Sequence, residues 1–370
     1  MKMIKKSNGK IGTRELSALI FIVIAIKGAD STPHGLFIDG LTATWMFPII
    51  WLIVMALPFM ALLKLLQHYK RKNIVQIIYH LTGKYFGFLL ALILFFLQFM
   101  ALILNSRGYV DIMVSRFYIL TPMLVIYSAL ILSSYFVATR GYEGLARTSY
   151  LILPYLIIAM LLLPPLLWAD FSPLFLHPVA GPGVKEIITG GVKHSSLIGE
   201  YMIFALFYPY TKDHKTFRNA NIIGFVFGCI LISLLLAEYI MLFDYVAVQK
   251  MLHPFSQLTR HTEIMMFINN LDALFLGVWI IVGIIRFALY LYGTAGFYGY
   301  TFKLKEFEPL ILPFAILTII IGFIPYNASM TSIVLRQNYL IEKSWLYFFF
   351  LPLLLWGIAK VKGEFKHERT

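Results

Sequence analysis

Apolar residues fall along this chain in long unbroken stretches, each close to the length needed to cross lipid, with short polar or basic segments between them. A hydrocarbon core about 30 Å thick takes roughly 20 helical residues at ~1.5 Å each. Windows of that length predict ten membrane spans, over residues 16–36, 45–66, 86–105, 121–137, 150–168, 187–210, 220–243, 271–291, 308–326 and 345–360. Two of them are interrupted. In the first, the apolar run from Leu16 to Ile26 climbs roughly 16 Å and then meets Lys27-Gly28-Ala29-Asp30-Ser31, two opposite charges around a glycine near mid-membrane. In the sixth, Gly190-Gly191 and then Ile198-Gly199-Glu200 interrupt the pattern, and only nine residues, Tyr201 to Pro209, remain before a basic loop. Glu200 is therefore also expected near the midplane. Irregular backbone survives at that depth only inside protein or beside water, so both breaks mark a candidate site.

Ten spans divide as five plus five. An odd number per half inverts the second half relative to the first, and the breaks fall on the first span of each. Paired broken helices in inverted halves point to a transporter-like central site. The expected architecture is an all-α polytopic membrane protein with a LeuT-like five-plus-five inverted repeat. It is one transmembrane domain over 1–370, with a first repeat of about 14–168, a second of about 185–361, and short tails at 1–13 and 361–370. The broken ends offer amides to a carboxylate and carbonyls to an ammonium, which suits a zwitterion such as a small amino acid.

Composition agrees with lipid as the solvent. The 370 residues are 60% hydrophobic and 13% charged, with a mean hydropathy of +0.80. Basic residues behind the net charge of +13 gather in the N-terminal tail, the 64–84 segment and the C-terminal tail, which by the positive-inside rule places both termini in the cytoplasm. Those clusters are expected beside anionic membrane lipid, and with no soluble module to carry them a nucleic-acid partner is excluded. The N-terminal apolar stretch has no small-residue cleavage site and reads as an uncleaved first helix. The lone Cys229 has no disulfide partner.

Two readings of the buried charges stand side by side. Each sign complements the nearest helix dipole, so Lys27, Asp30 and Glu200 can cap the broken helices or pair, Lys27 with Asp30 and Arg286 with Glu200. Alternatively they contact a ligand or a proton, with Glu200 the candidate for a proton-linked step. Arg286, in the eighth span, must face the interior. Gln98 and Asn105, seven apart on the third span, either line a cavity or bond to neighbouring helices. Glu238 lies close enough to a span end to snorkel, and Lys193 and His194 belong to the outer half of the sixth span. The tyrosines and tryptophans read as an interfacial belt. With no metal-ligand spacing, Walker loop, nucleophile elbow or HExxH helix, neither a metal site, a cofactor nor an enzyme activity is expected. Asn327-Ala328-Ser329 is a lone glycosylation-type match.

Several segments together resemble a known family. They are Glu15-Leu16-Ser17 leading to Gly28 and Pro33, the run Arg140-Gly141-Tyr142-Glu143-Gly144-Leu145-Ala146-Arg147, Gly199-Glu200 followed by Pro209, and Pro254 to Arg260 leading to Asn270-Leu271-Asp272 and Trp279. In this order and spacing they resemble the endospore germination permeases, the B subunits of nutrient germinant receptors. The resemblance covers essentially the whole chain. It implies the fold of the amino acid, polyamine and organocation transporter superfamily, the spore inner membrane, a small nutrient ligand such as an amino acid, and association with an A-type membrane subunit and a C-type lipoprotein. Carried over by position, it implies a ligand site at Gly28, Ala29, Asp30 and Ser31 and at Ile198, Gly199 and Glu200. The function expected is nutrient sensing. A proton-coupled amino acid permease and a ligand-free structural or channel-forming subunit are the alternatives.

Overall fold

A computed structural model of the chain describes residues 10–265 and 271–365, with the side chains of 262–265 and 271–272 outside the description. The tail clusters at 1–9 and 366–370, and Asn270 of the family-like motif, lie outside the described residues. Helix accounts for nearly all of the rest. The helices are α1 (Thr13–Ala25), α2 (Thr32–Gly40), α3 (Phe47–His68), α4 (Ile74–Thr82), α5 (Lys84–Arg116), α6 (Met123–Ala138), α7 (Gly141–Leu167), α8 (Val184–Lys193), α9 (Tyr201–Leu206), α10 (His214–Phe243), α11 (Tyr245–Val248), α12 (Pro254–Met265), α13 (Leu271–Thr301), α14 (Ile311–Gly322) and α15 (Glu342–Val361). Six stretches among them are long and apolar enough to cross a membrane, and Met123–Ala138, Ser195–Leu206 and Glu308–Gly322 are shorter apolar helices. This is an integral membrane protein. The number ten stays a sequence expectation.

Both predicted breaks are present. α1 gives way to a 3-10 turn, Ile26–Ala29, then to extended backbone at Asp30 (φ −102°, ψ −157°) before α2 begins. α8 gives way to a 3-10 turn, Ser195–Ile198, before α9. Lipid does not touch either break. Leu16, Leu19, Ile20, Ile22, Val23 and Ile24 of α1 are fully buried, as is all of α9, so protein surrounds the irregular backbone as the solvent requires. Ile53, Phe136, Leu161 and Ile320, on the outer faces of other helices, are exposed and meet lipid.

Close approach of α1 to α10 depends on two glycines. A Cβ at Gly224 would lie 2.5 Å from Ile20 Cβ and 3.1 Å from Ser17 O, and one at Gly228 would lie 2.8 Å from Ile24 Cγ2. Their spacing of four is the small-xxx-small pattern by which membrane helices pack where no hydrophobic drive separates protein from lipid.

Several long-range contacts order the ends of the bundle. Ile11 pairs with the segment after α9, taking Tyr210 O at 3.2 Å and giving its own carbonyl to Lys212 N–H. Lys362 donates to Leu81 O at 2.8 Å, and Tyr79 to Thr301 O at 2.8 Å. α4 lies between α3 and α5 in the chain, within the basic 64–84 segment that separates the second and third expected spans. Its capping box joins Asn73 and Gln76. At the start of α10, exposed Asp213 accepts Thr216 N–H at 2.6 Å, which with nearby Lys212 and Lys215 holds its carboxyl below the usual carboxylate range.

Three sequence expectations are corrected. The third span does not end near Asn105: α5 runs on to Arg116 and carries a buried Arg107–Asp111 pair at 2.9 Å, whose Arg107 also donates to Gly322 O at 2.6 Å and so closes the C-terminus of α14. The last helical stretch begins at Met330, not near residue 345, because a π-helix over Met330–Ile341 precedes α15. Its Ser332, Arg336 and Gln337 face the interior and had depressed the hydropathy of that window. Finally, many aromatic residues are not interfacial. Trp51 and Tyr109, Tyr127, Tyr142, Tyr201, Tyr239 and Tyr290 are completely buried. Tyr109, Tyr127, Tyr201 and Tyr239 donate to carbonyls of Trp279, Thr318, Phe348 and Gly28, pinning helix to helix.

Replacing Gly224 by Ala is expected to lower the unfolding temperature of the detergent-solubilised protein by the equivalent of ~1–3 kcal/mol, since the added methyl overpacks α1 against α10. Gly357, whose added Cβ would meet nothing within 4 Å, supplies the control. Equal unfolding temperatures for the Gly224→Ala and Gly357→Ala variants would show that the two helices have slack.

Candidate functional site

The two breaks meet. Lys27, in the turn after α1, reaches across to the second break, where its ammonium lies 2.5 Å from Glu200 Oε1 and donates to Leu197 O. Tyr290 of α13 donates to the same Glu200 oxygen at 2.5 Å. Asp30 turns the other way. Its Oδ1 accepts Thr32 N–H at 2.7 Å, capping α2, while Oδ2 faces Arg286 Nη1 at 2.9 Å and Arg336 Nη2 at 3.5 Å. The pairing expected from sequence, Lys27 with Asp30 and Arg286 with Glu200, is thus exchanged. Lys27 follows the carbonyl end of its own helix but satisfies the carbonyl end of the other, and that geometry leaves Asp30 for the arginines.

Asn105 ties the arginines together: its Oδ1 accepts from Arg286 Nη2 at 3.0 Å and from Arg336 Nε at 2.9 Å, and its Nδ2 donates to Ala101 O. Arg336 also donates to Thr32 Oγ1 at 2.6 Å. Five charged side chains, Lys27, Asp30, Glu200, Arg286 and Arg336, are all buried here. Three positive charges against two negative leave the cluster one positive charge in excess.

Beside the cluster is a cavity of about 60 Å³. At roughly 10–15 Å³ per water it has the room of about four waters or one small molecule. Lys27, Gln98, Asn105, Glu200, Arg286 and Arg336 form its polar wall, and apolar side chains such as Phe348 complete it. Glu200 Oε2 and Arg286 Nε, both buried in residues of that wall, have no hydrogen-bond partner among the described residues. A small, positively biased cavity walled by a glutamate, a lysine and two arginines suits a guest that carries both an anionic and a cationic group.

Of the residues predicted for the site, Lys27, Gln98, Gly199, Glu200 and Arg286 line this cavity. Gly28, Ala29, Asp30, Ser31 and Ile198 do not. A Cβ at Gly28 would point to α10, 2.8 Å from Leu235 Cδ1, and Gly28 O accepts from Tyr239 at 2.8 Å. Ala29 packs toward Trp279, and Ile198 faces a separate apolar pocket with Phe59 and Phe225. Gln98 both lines the cavity and donates to Tyr290 O at 3.4 Å. Glu238, expected to snorkel, is buried on α10, with Oε2 unpartnered among the described residues. Arg336 falls between the ninth and tenth expected spans, and the signal for it is an arginine in a stretch that runs on into an apolar helix.

Broken helices wrapped in protein around a charged central cavity define a membrane protein of the LeuT-like transporter fold, and solved structures agree. The chain superposes on a manganese transporter of Eremococcus coleocola, determined with an aromatic bis-isothiourea compound, at a TM-score of 0.59 with 13% identity, over 95% of this chain and 80% of that one. It superposes on a Na+-coupled sialic acid symporter in a substrate-bound outward-open state at 0.54 with 12% identity, over 95% and 78%. At such identity the likeness carries the fold alone. The profile of the spore germination protein family matches residues 10–331, and the chain belongs to that family. It is 24% identical over 225 residues to spore germination protein KB of Bacillus subtilis (strain 168), an alignment spanning 60% of each chain.

Removing one partner of the Lys27–Glu200 pair should cost more than removing both. Lys27→Met leaves Glu200 buried with Tyr290 as its remaining partner, a loss of ~3–5 kcal/mol, whereas the Lys27→Met/Glu200→Gln double variant should recover most of it. Thermal unfolding of the four proteins in detergent measures the cycle. Additive losses would mean that the two groups do not interact.

Proposed function

We propose that this chain is the B subunit of a nutrient germinant receptor, and that its ligand is a small carboxylate-bearing nutrient, an amino acid being the best fit. The observation that carries this reading is the cavity itself: it adjoins the meeting point of both breaks, its wall holds Lys27, Arg286 and Arg336 beside Glu200, and the buried cluster behind it carries one positive charge in excess. A carboxylate answers the surplus cation and the guanidinium donor, and an ammonium answers the glutamate. Lys27, Gln98, Gly199, Glu200, Arg286 and Arg336 are the proposed contacts. Asp30 acts behind them, holding both guanidinium groups in place, with Gly28, Ala29, Ser31 and Ile198 shaping the two breaks rather than touching the guest.

Signalling would follow from unequal affinity for two arrangements of the broken helices, because a ligand shifts an equilibrium only by the difference in its affinities. The positive-inside distribution supports cytoplasmic termini, and family membership supports the spore inner membrane and assembly with an A-type membrane subunit and a C-type lipoprotein. Glu200 also supports a second reading, proton-coupled permeation. Its protonation would remove the charge that holds Lys27 across the two breaks, and so would couple a proton to their separation.

Spores carrying Glu200→Gln should lose their nutrient response, and so should spores of the Lys27→Met/Glu200→Gln variant, which leaves no buried charge unpaired and should keep normal amounts of the protein on immunoblots. The two break glycines should differ. Gly199→Ala drives a methyl to 2.6 Å from the Phe348 ring and 2.9 Å from Ser196 O, at the cavity, and should shift the nutrient dose needed by about tenfold or more, equivalent to ~1.4 kcal/mol. Gly28→Ala meets only a movable leucine methyl and should leave the dose nearly unchanged. Germination curves over a panel of amino acids and their carboxamide analogues provide the readout. A normal response from Glu200→Gln, or equal potency of acids and amides, would defeat this reading. Net uptake of labelled amino acid by proteoliposomes holding the chain alone would favour permeation over pure sensing.

A further inference from the structure

Away from the central cavity, three residues far apart in sequence converge: Asp39 near the end of α2, His194 just after α8, and Glu342 at the start of α15. One candidate ligand atom from each lies within 4.8 Å of the others. His194 is completely buried, stacked on Phe47 at 5.8 Å, with Nδ1 3.8 Å from Asp39 Oδ2. The two carboxylates are half-buried, and among the described residues neither has a lysine or arginine within 4.0 Å. Lys193 and Lys343, the cations next in sequence to His194 and Glu342, are both exposed, and Lys343 lies over the Tyr339 ring. Two like charges brought together without a cation are unfavourable unless something positive joins them.

We propose that Asp39, His194 and Glu342 form a site for a divalent transition-metal cation of the zinc type. Two carboxylate oxygens and one imidazole nitrogen are a borderline donor set, suited to zinc rather than to the all-oxygen shells of calcium or magnesium. Bonds of about 2.0–2.2 Å in a tetrahedron put ligand atoms roughly 3.3–3.5 Å apart, so the side chains must close in by about 1 Å. The two carboxylates, only half-buried, are the groups with room to move. Three protein ligands leave a fourth position for water.

The histidine is prepared for this role. Nδ1 now lies 2.8 Å from Gly190 O, but that carbonyl also accepts His194 N–H at 3.2 Å, so turning Nδ1 to a metal orphans nothing. Nε2 abuts the Gln337 side-chain amide. With the amide turned, its Oε1 accepts Nε2–H and fixes the tautomer that frees Nδ1, the outer-shell arrangement common to metal-bound histidines. Bound metal would tie α2, α8 and α15 together. α2 follows the first break and α8 precedes the second, so the ion would clamp the pieces of both broken helices on one side of the chamber.

The test is zinc binding by full-length protein purified without a histidine tag, measured by titration calorimetry and by metal analysis after dialysis. Wild type should hold about one zinc per chain, and zinc should raise its unfolding temperature. Asp39→Asn and Glu342→Gln, isosteric changes at half-exposed positions, should each weaken binding at least about tenfold and abolish that rise, with Gln337→Ala weakening it less. No uptake by wild type at about 100 µM zinc, or affinity unchanged in both carboxylate variants, would overturn the proposal. None of these measurements depends on nutrient sensing, so failure of the metal site and failure of the receptor reading are separately visible.

Discussion

A helix broken inside lipid must find partners for the backbone groups that the break releases, and here side chains of the opposite break and of neighbouring helices supply them. Lys27 donates to Leu197 O, Tyr239 to Gly28 O, and Asp30 accepts Thr32 N–H. Each of those side chains brings its own debt, because a charge or hydroxyl at this depth is itself costly. Lys27 therefore requires Glu200, Asp30 requires Arg286 and Arg336, and the arginines require Asn105. The ion cluster follows from the decision to break two helices at one level. Only protein on every side makes that tolerable, and the part of α1 that leads into the break and the whole of α9 are buried accordingly.

The crossed pairing has a mechanical consequence. Had Lys27 bonded Asp30, three residues away, each break would have been self-contained. Instead one ion pair spans the two breaks, and a second anchors the first break to α13 and to the π-helical stretch before α15. Moving either broken helix must stretch a buried ion pair whose energy depends steeply on distance at low dielectric. Such an element has discrete arrangements rather than a continuum, the property a ligand-driven switch or an alternating-access carrier requires. The π-helix fits that view. Its wider turns are a strained alternative to α-helix, and it carries Arg336 into the cluster and Gln337 against His194.

Hydropathy marked the chain as a helical membrane protein and the glycine-charge interruptions located both breaks, because apolar length and charged depth are properties of the sequence alone. Lys27, Glu200, Arg286 and Gln98 were legible as interior groups for the same reason: no other place in lipid is affordable for them. Which charge pairs with which was not, since it depends on how α1 and α9 cross. Arg336, Arg107 and Asp111 were hidden by their own polarity, which lowered the window average and ended the predicted helices early, although all three are enclosed by protein. The buried tyrosines were invisible for a related reason. A tyrosine that bonds a carbonyl on another helix has the same local sequence as one at the membrane surface, and only the neighbour reveals the difference.

Asymmetry between the two breaks follows from these partners. The first is held from α10, through Tyr239, and by two arginines; the second is held from α15 and the segment before it, with Tyr201 donating to Phe348 O and Ser196 donating to Ile341 O at 2.8 Å. Gly28 has only a leucine methyl opposite it, whereas Gly199 is closed in by an aromatic ring and a carbonyl. The first break thus has side-chain slack around a charge-locked backbone, and the second has a tightly packed backbone around a glutamate with one oxygen still unpartnered among the described residues. The proposed ligand, on reaching Glu200, would act on the break with less room to yield, so that its binding energy would pass to α9 and α15 rather than into local adjustment.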